Sequence, residues 1–236
     1  MKKTLLFLSS VMLSAALCNA GEGAANSPVL LIGDSMMRLP GMAVERELAR
    51  TRPEVTARTF SGIGTGLARL DAFDWLGKIS ELCAEQKPKV AVVALGANDR
   101  QPMQLPDGRG ISQPGTDEWN AEYAVRIANA MDLFIDNGCE KVIWLLLPPM
   151  RDPVVDRHAA TLNEMATAAA QSRPHVTLFD VGSLVADRRT GGFTERIIDP
   201  RTAAAVAVRE RDGIHLSPQG ARLLASAIVE KYWKAE

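Results

Sequence analysis

Three short apolar runs constrain the fold of this chain more than any other feature of its sequence. Val29–Ile32, Val90–Leu95 and Val142–Leu147 are continuously hydrophobic and do not alternate with polar residues. Strands covered on both faces have this pattern, which is typical of parallel sheets packed between helices. Two weaker runs, Val55–Phe60 and Val176–Asp180, bring the number of predicted strands to five. We therefore predict an α/β fold built on a parallel sheet.

Helical patterns separate the predicted strands. One begins at Thr116–Asp117 and ends before Gly138, and a second covers about Pro153–Gln171. The last helix follows Ser217 and begins at Pro218, which combines an N-cap residue with a proline at the first helical position. Strands that alternate with helices, joined by right-handed crossovers, predict a doubly wound α/β sandwich.

The amino-terminal segment has a different character from the rest of the chain. Lys2 and Lys3 precede the uncharged, mostly apolar stretch Thr4–Leu17, and small residues follow it. This order is typical of a secretory signal peptide, and the apolar stretch is short for a membrane span. We therefore predict a signal peptide over 1–20 and a single domain over 21–236. The protein is expected to be periplasmic or secreted, without stable membrane insertion.

The composition excludes several classes of protein. With 47% hydrophobic and 23% charged residues, the chain is too apolar to be disordered and too polar to be a membrane bundle. Its net charge of −1 gives no basic field for a nucleic-acid partner, and three histidines and three cysteines exclude most zinc frameworks. Nothing in the sequence demands more than a monomer.

Two cysteines, Cys83 and Cys139, remain after the predicted signal peptide is removed. Both precede buried strands and are expected at the same end of the sheet. In an oxidising compartment they can pair as a disulfide, and the alternative is two buried free thiols. The sequence leaves both interpretations open.

The candidate site follows from the position of the segments after the strands. In an open α/β sheet, ligands bind beyond the carboxyl ends of the strands, so these segments meet at one rim. Two irregular stretches, 100–115 and 182–211, are long for loops in a compact domain, which is typical of functional segments. The segments at the predicted rim are Gly33–Ser35, Phe60–Gly66, Gly96–Arg100, Pro148–Arg151 and Asp212–His215.

Ser35 and His215 are the candidates for nucleophilic chemistry at this rim. A serine at a strand-to-helix turn is exposed, and it becomes a nucleophile when a histidine takes its proton. Asp212 lies three residues before His215 and can orient the imidazole. His175 opens the fifth strand and so lies at the wrong end of the sheet, and His158 is interpreted as a structural helix residue.

The same rim offers donors for an oxyanion. The Ser35 N–H, the Asn98 side-chain amide and the Gly62 N–H are the candidates, since glycine allows close approach of the backbone. Taken singly, Asn98 is also typical of a turn, and the glycines of a flexible loop. The glycine cluster does not indicate a dinucleotide site, because Leu67 stands where the G-x-G-x-x-G motif needs glycine.

Four blocks of this sequence together resemble the SGNH, or GDSL-type, hydrolase superfamily. They are Gly33–Met36, Ser61–Gly62, Gly96–Asp99 and Asp212–His215. The first block alone is a weak signal, but GDS, GxND and DxxH in this order and spacing are specific together. The resemblance spans residues 28–230, which is nearly the whole chain after the predicted signal peptide.

The resemblance implies a fold and a set of roles. The fold is a three-layer α/β/α sandwich with a five-stranded parallel sheet, which is the flavodoxin-like SGNH hydrolase arrangement. The implied nucleophile is Ser35, the base is His215 and the orienting acid is Asp212. The implied oxyanion donors are Gly62 and Asn98. No metal and no organic cofactor is needed for such chemistry.

Some residues in and beside the four blocks differ from the usual family pattern or add to it. Met36 stands where leucine is usual, which changes packing and not chemistry. Gly64 lies close to Gly62 and is an alternative oxyanion donor. Asp34 and Asp99 flank the catalytic positions and are expected to support their loops. Further segments resemble an exported bacterial branch of the superfamily: Thr65–Leu67, Phe73–Trp75, Arg100–Met103 and Pro148–Arg151.

The predicted function is hydrolysis of small acyl esters by a serine esterase. Export and the superfamily together favour an acetyl ester on a cell-envelope or secreted carbohydrate, so the expected partner is a glycan or small-molecule ester. A mixture of guanidinium, amide, thioether and aromatic groups is expected at the pocket mouth, and it suits a glycan better than a long acyl chain. The residues assigned to substrate binding are Arg100, Gln101, Met150 and Arg151, with Met103 and Trp119 beside them.

Three alternative functions use the same scaffold. A polysaccharide O-acyltransferase would employ the same serine and histidine, with a sugar hydroxyl replacing water. A lysophospholipase or thioesterase would differ in its preference for acyl-chain length. A non-catalytic glycan-binding protein is disfavoured by the intact constellation of catalytic residue types.

Overall fold

The computed structural model describes residues 28–105, 107–111 and 113–234, so the predicted signal peptide lies outside the described residues. The strands in chain order are β1 (Val29–Gly33), β2 (Ala57–Ser61), β3 (Val90–Ala94), β4 (Met103–Gln104), β5 (Gly110–Ile111), β6 (Lys141–Leu146), β7 (Val176–Asp180), β8 (Arg196–Ile198) and β9 (Ala205–Ala207). The α-helices are α1 (Ser35–Thr51), α2 (Trp75–Gln86), α3 (Asp117–Asp136), α4 (Pro153–Gln171), α5 (Gly182–Val185) and α6 (Pro218–Tyr232). A 3-10 helix covers Leu67–Arg69.

The central sheet has five parallel strands in the order β2-β1-β3-β6-β7. Helices α1 and α6 pack together on one face, and α2, α3 and α4 pack in sequence on the other. The three continuous apolar runs form β1, β3 and β6, which are almost wholly buried because helices cover both of their faces. This arrangement confirms the predicted three-layer α/β/α fold.

The register of the central strands places the segments of the candidate site side by side. Gly33, the last residue of β1, pairs with Ser61 of β2 and with Ala94 of β3. A Cβ on Gly33 would lie 2.0 Å from the Ala94 carbonyl oxygen, so no larger residue fits there. The three strands therefore end level with one another, and the residues that follow them meet at the rim.

Local sequence signals explain where the helices begin. The side chain of Asp152 accepts the N–H groups of Val154 and Val155 at the start of α4, with Pro153 at the first helical position. Ser217 caps α6 in the same way, and Pro218 follows it. Caps of this kind satisfy N–H groups that have no partner inside the helix. The predicted bounds of α4 and the predicted start of α6 are thereby confirmed.

Some elements differ from the sequence-based expectation. Strand β2 begins at Ala57, two residues later than predicted, because Val55 is held in a turn by a hydrogen bond from its N–H to the Arg52 carbonyl. The two irregular stretches contain the small hairpins β4–β5 and β8–β9 and the one-turn helix α5. Elements of two to four residues carry too few side chains to show a period.

Cys83 and Cys139 are buried free thiols. The Cys139 Sγ–H donates to the Pro88 carbonyl at 3.3 Å. The neighbouring Cys139 thiol lowers the pKa of Cys83. The two thiols therefore lie beside each other, near the amino-terminal end of the sheet and away from the candidate site.

Candidate active site

Ser35 is held at the amino terminus of α1 by the buried carboxylate of Asp34. One oxygen of Asp34 accepts the Met36 N–H at 2.7 Å. The other accepts the N–H groups of Gly96 and Ala97 at 3.0 and 3.1 Å. The carboxylate thus ties the nucleophile turn to the loop that follows β3. Burial raises the pKa of Asp34 to about 7, against the opposing effect of its backbone hydrogen bonds.

The structure brings Ser35, His215 and Asp212 into one hydrogen-bonded chain. His215 Nε2 lies 2.8 Å from Ser35 Oγ, and His215 Nδ1 lies 2.6 Å from Asp212 Oδ2. The second oxygen of Asp212 accepts the N–H groups of Ile214 and His215 at 2.8 and 3.0 Å. This is the geometry in which a carboxylate fixes the imidazole and leaves its other nitrogen free to take a proton from the serine.

The carboxylate of Asp212 stays ionised well into the acidic range. Partial burial would raise its pKa, but hydrogen bonds from the His215 ring and from the Ile214 and His215 N–H groups outweigh that effect. The net result is a pKa below the ordinary aspartate value. Asp212 is therefore available as an anion wherever His215 has to accept a proton.

A buried arginine supports the loop that carries Asp212 and His215. Arg209 is 5% exposed, and its Nη2 donates to the carbonyl oxygens of Gly213 at 3.3 Å and Ile214 at 2.8 Å. The same nitrogen lies 3.4 Å from Met150 Sδ, and the guanidinium stacks over the Phe193 ring. Arg209 Nε has no hydrogen-bond partner among the described residues. Sequence analysis gave no indication of this arginine.

Burial lowers the pKa of Arg209 to about 10, which still leaves the group charged at neutral pH. The carboxylates of Asp212 and Asp156 oppose that shift. A positive charge therefore lies beneath the triad loop without a carboxylate in direct contact among the described residues.

The Asn98 amide is oriented by Thr65. Asn98 Nδ2 donates to the Thr65 carbonyl at 3.0 Å, which occupies one of its two hydrogens. The Thr65 hydroxyl donates in turn to the Gly62 carbonyl at 2.7 Å, and it accepts from Trp75 Nε1 at 3.0 Å. The second Asn98 hydrogen has no acceptor in the described part of the chain, and it can serve as an oxyanion donor.

The predicted role of Gly62 as an oxyanion donor is not supported. Its N–H donates to the Gly33 carbonyl at 2.9 Å, because the β1–β2 ladder extends one residue past β2. Gly64 has a φ of +75°, and the space around its Cα is open. Over the described residues, the N–H groups of Gly64 and Ser35 find no acceptor. Gly64 is therefore the better candidate, which was the alternative that the sequence left open.

A second buried carboxylate, Asp99, shapes the loop behind the candidate oxyanion hole. It accepts the N–H groups of Leu67 and Ala68 at 3.0 and 2.8 Å and the Tyr123 hydroxyl at 2.6 Å. Burial raises its pKa, against the effect of these hydrogen bonds. A Cβ on Gly66 would lie 2.0 Å from Asp99 Oδ1, so glycine is required at that position.

Ser35 and His215 open into a cavity of about 510 Å³. A larger cavity of about 610 Å³ lies beyond β6 and β7, but it contains none of the three residues of the Ser–His–Asp chain. The remaining walls of the smaller cavity are formed by Met36, Arg38, Leu39, Pro40, Ile63, Glu210, Arg211 and Leu216.

None of the four residues assigned to substrate binding lines this cavity. Arg100 is exposed on the surface, and the Gln101 amide donates to the Asn98 carbonyl at 2.7 Å. Met150 is 2% exposed, because it packs beneath Arg209. Arg151 donates to the Arg211 carbonyl at 2.6 Å and pairs with Glu195. The structure therefore does not bring these residues to the cavity walls, and Gln101 and Arg151 instead brace the loops around the site.

The two neighbours of that set, Met103 and Trp119, are also buried. The residues that do line the cavity include Arg38 and Arg211, which the sequence analysis missed. Their positions offered a signal, since Arg38 lies one helical turn after Ser35 and Arg211 directly precedes Asp212. Residues so close in the chain to a nucleophile or its base are natural candidates for contact with a substrate.

Within the described residues, no group of three or more His, Cys, Asp and Glu side chains could hold a metal ion. In the same part of the chain, no helix is long and apolar enough to cross a bilayer.

The fold and the hydrogen-bonded Ser–His–Asp chain define a class, that of proteins with the GDSL-type, or SGNH, hydrolase fold. The chain is similar to a GDSL-like lipase from Bacteroides thetaiotaomicron, with 16% identity, a TM-score of 0.59 and coverage of 89% of this chain and 90% of that one. A GDSL-family protein from Veillonella parvula gives 16% identity and a TM-score of 0.60, covering 88% and 99%. The family 3 carbohydrate esterase of Clostridium thermocellum is 15% identical with a TM-score of 0.54, and the match covers 87% of this chain and 94% of that one.

At the level of sequence, the chain belongs to the family described as "Protein of unknown function (DUF459)", whose model matches residues 28–231. No curated protein sequence matches the chain. The structural likenesses confirm the predicted fold and the resemblance to the SGNH superfamily.

Proposed function

We propose that this protein hydrolyses carboxylic esters through a covalent acyl-enzyme formed on Ser35. The observation that carries the proposal is the continuous chain from Ser35 Oγ to His215 Nε2 at 2.8 Å and from His215 Nδ1 to Asp212 at 2.6 Å. A serine hydroxyl becomes a nucleophile when a base in hydrogen-bond contact takes its proton, and the base must itself be oriented. All three roles are filled by side chains in contact.

The first step is attack of Ser35 Oγ on the ester carbonyl. Asp212 accepts the hydrogen on His215 Nδ1, so Nε2 carries the lone pair that receives the serine proton. The tetrahedral oxyanion is stabilised by the Ser35 N–H, the second Asn98 amide hydrogen and the Gly64 N–H. The positive end of α1 contributes at the same place, because Ser35 is its first residue.

The second step reverses the proton transfer. The imidazolium of His215 protonates the leaving alkoxide as the carbonyl re-forms, which leaves the acyl group on Ser35. His215 then takes a proton from water as the water oxygen attacks the acyl carbon. The second tetrahedral intermediate collapses, His215 returns that proton to Ser35 Oγ, and the carboxylic acid leaves. Asp212 stabilises the imidazolium in both halves of the cycle.

The proposed substrate is a small acyl ester, such as an acetyl ester, on a cell-envelope or secreted carbohydrate. The charged residues of the cavity wall support this, since Arg38, Glu210, Arg211 and Asp212 lie there beside the apolar residues and suit a polar substrate. A carbohydrate esterase shares the fold. The predicted export of the chain would bring it to such substrates.

The direct test uses the protein without residues 1–20 and a series of p-nitrophenyl esters from acetate to octanoate. We expect the highest kcat/KM for acetate, and a loss of about a thousandfold or more in Ser35→Ala and His215→Ala. Ser80→Ala, a helix serine bonded only to the Leu76 carbonyl, is the matched control and should keep full activity. Circular dichroism checks that each variant folds.

Two outcomes would reject this reading. Full esterase activity in Ser35→Ala would show that the serine is not the nucleophile. Turnover that requires an added sugar acceptor would indicate acyl transfer instead of hydrolysis.

Asn98→Ala should reduce kcat by about a hundredfold with KM little changed, since it removes a donor used in the transition state.

A further inference from the structure

Two arginines of the Ser35 cavity have no carboxylate partner among the described residues. Arg38 extends from the first turn of α1, and Arg211 lies on the triad loop, directly before Asp212. Neither guanidinium forms an ion pair or a side-chain hydrogen bond with the described residues. Exposed arginines elsewhere in the molecule do find such partners, as Arg50 does with Glu47 and Arg201 with Glu230.

The carboxylates of the cavity do not cancel these charges. The negative charge of Asp212 is opposed by the buried guanidinium of Arg209 beneath the triad loop, and its oxygens accept hydrogens from the His215 ring and from two N–H groups. Glu210 is the other acidic residue of the cavity wall, and its one negative charge faces the two positive charges of Arg38 and Arg211. The space in front of the nucleophile is therefore positive on balance, although the chain as a whole carries a net charge of −1.

The groove next to this cavity continues the same chemistry. A second cavity, of about 230 Å³ between α1 and α6, shares the wall residue Leu39 with the first. It is lined by Arg46 and Arg222, whose guanidinium groups bond to the Met42 carbonyl and the Gln219 amide and to no carboxylate of the described chain. An Arg50–Glu47 pair lies beside them and adds no net charge.

We propose that the esterase proposed above is specific for esters of anionic carbohydrates, whose negative group is bound by Arg38 and Arg211. This inference rests on the proposed function and names its substrate class. Guanidinium groups bind carboxylate and phosphate oxygens through paired hydrogen bonds, which fixes the orientation of the ligand as well as its charge. The adjoining groove at Arg46 and Arg222 would bind further anionic sugar units of the same glycan.

The experiment compares three acetylated monosaccharides that differ only in the group at C6, which is neutral in one and anionic in two. They are an acetylated methyl glucoside, the matching acetylated methyl glucuronoside and the matching acetylated glucoside 6-phosphate, with acetate release as the readout. At low ionic strength we expect kcat/KM to be about tenfold or more higher for an anionic ester than for the neutral one. That ratio should fall as salt is added. The carboxylate and phosphate arms identify which anion the site prefers.

The variants test the two arginines as the cause of that ratio. In the double variant Arg38→Gln, Arg211→Gln, the ratio of anionic to neutral kcat/KM should fall to near one. Glu210→Gln removes the opposing charge and should raise the ratio. Arg58→Gln, an exposed arginine on β2, is the matched control for the loss of one positive charge and should leave the ratio unchanged. A substitution that changes oxyanion stabilisation in general alters kcat/KM for both esters equally, so it leaves their ratio unchanged.

The outcomes separate this inference from the function on which it rests. If wild-type protein hydrolyses all three esters equally, the anionic specificity is wrong and the esterase stands. If it hydrolyses none, the esterase is wrong, and calorimetry with the unesterified glucuronoside decides the binding claim. Binding lost in the double arginine variant would support an anion site, whereas equal or absent binding in both proteins would overturn it.

Discussion

The two sides of the candidate site are held in place by different sets of buried charges. On the nucleophile side, the carboxylates of Asp34 and Asp99 accept N–H groups from the loops after β1, β2 and β3, and the buried Arg126 donates to carbonyls of the loop after β2. On the base side, the guanidinium of Arg209 donates to the carbonyls of Gly213 and Ile214. Irregular backbone is thus fixed by buried anions together with a cation in one region, and by a buried cation in the other.

The difference follows from which backbone groups each loop leaves without partners. A strand-to-helix turn exposes N–H groups, because the first residues of a helix have no acceptor within it, and a carboxylate can accept several of them. The loop before α6 also leaves the carbonyls of Gly213 and Ile214 without partners, and only a donor can satisfy those. Each of the two buried carboxylates has three hydrogen-bond donors, whereas Arg209 Nε has no partner among the described residues.

The largest loss of stability is expected when a buried carboxylate on the nucleophile side is removed. Asp99→Ala leaves the N–H groups of Leu67 and Ala68 and the Tyr123 hydroxyl without their acceptor in a buried place. We expect the free energy of unfolding to fall by about 3–5 kcal/mol, measured by urea denaturation. Asp136→Ala, an exposed aspartate at the end of α3, is the control and should change it by less than about 0.5 kcal/mol. Equal stability of the two variants would contradict the role of Asp99.

The buried anions also predict how stability depends on pH. The pKa of Asp34 rises from 3.8 to about 7 on folding, so the folded state keeps a proton that the unfolded chain has lost. Stability from this group is therefore full below about pH 4 and is lost as the pH rises through about 7, by at most about 4 kcal/mol. Urea denaturation of wild type and Asp34→Asn from pH 4 to 8 measures it. Asp34→Asn should show the shallower decline, and parallel curves would count against the shift.

Removing the cation should affect activity more than stability. Arg209→Met leaves two carbonyls unpaired, but it also ends the burial of an unpaired charge, so we expect a loss of stability of about 2 kcal/mol or less. The triad loop loses its support, and kcat/KM for an ester substrate should fall by about ten- to a hundredfold. The positive charge of Arg209 opposes protonation of the neighbouring triad, so the acid limb of the pH profile should move upward when that charge is removed.

Arg209→Lys serves as the matched control for the charge. It keeps the positive charge but cannot bond both carbonyls in the same geometry, so its activity should lie between those of wild type and Arg209→Met. If Arg209→Met lost stability and activity to the same degree, with an unmoved pH profile, the arginine would be only a packing residue.

The smallest expected effect concerns an exposed arginine that contacts the same loop. Arg151 donates to the Arg211 carbonyl and pairs with Glu195, but both side chains are largely in solvent. Arg151→Gln should change the free energy of unfolding by less than about 1 kcal/mol and kcat/KM by less than about threefold. A larger loss would mean that exposed and buried supports of this loop are equivalent.

The fold could be predicted because each large element carries its own local sequence signal. The continuous apolar runs gave β1, β3 and β6, and the caps at Asp152 and Ser217 lie beside the proline at which each helix begins. The hairpin β8–β9 was missed because three-residue strands show no period, and its pairing depends on residues that are distant in the chain.

The site was predictable where the topology alone decides it. Ser35 and His215 are 180 positions apart, yet both follow from the rule that residues beyond parallel strands share a rim. Gly62 was misassigned because its N–H partner belongs to another strand, which sequence spacing does not reveal. Met150 and Arg151 were misassigned because the direction of a side chain depends on packing, and Arg209 was missed because Phe193 and Met150 bury it from elsewhere in the chain.

The contact between α1 and α6 has a consequence for the order in which the molecule becomes functional. The first helix of the described chain carries Ser35 at its start, and the last helix follows directly after His215. These two helices pack against each other, so the serine meets its base only when the chain has closed on itself. Closing a loop of that length has an entropic cost and is slow relative to local helix formation. Recovery of the Ser35–His215 contact during refolding therefore reports the joining of two helices from opposite ends of the described chain, and not the formation of any single helix.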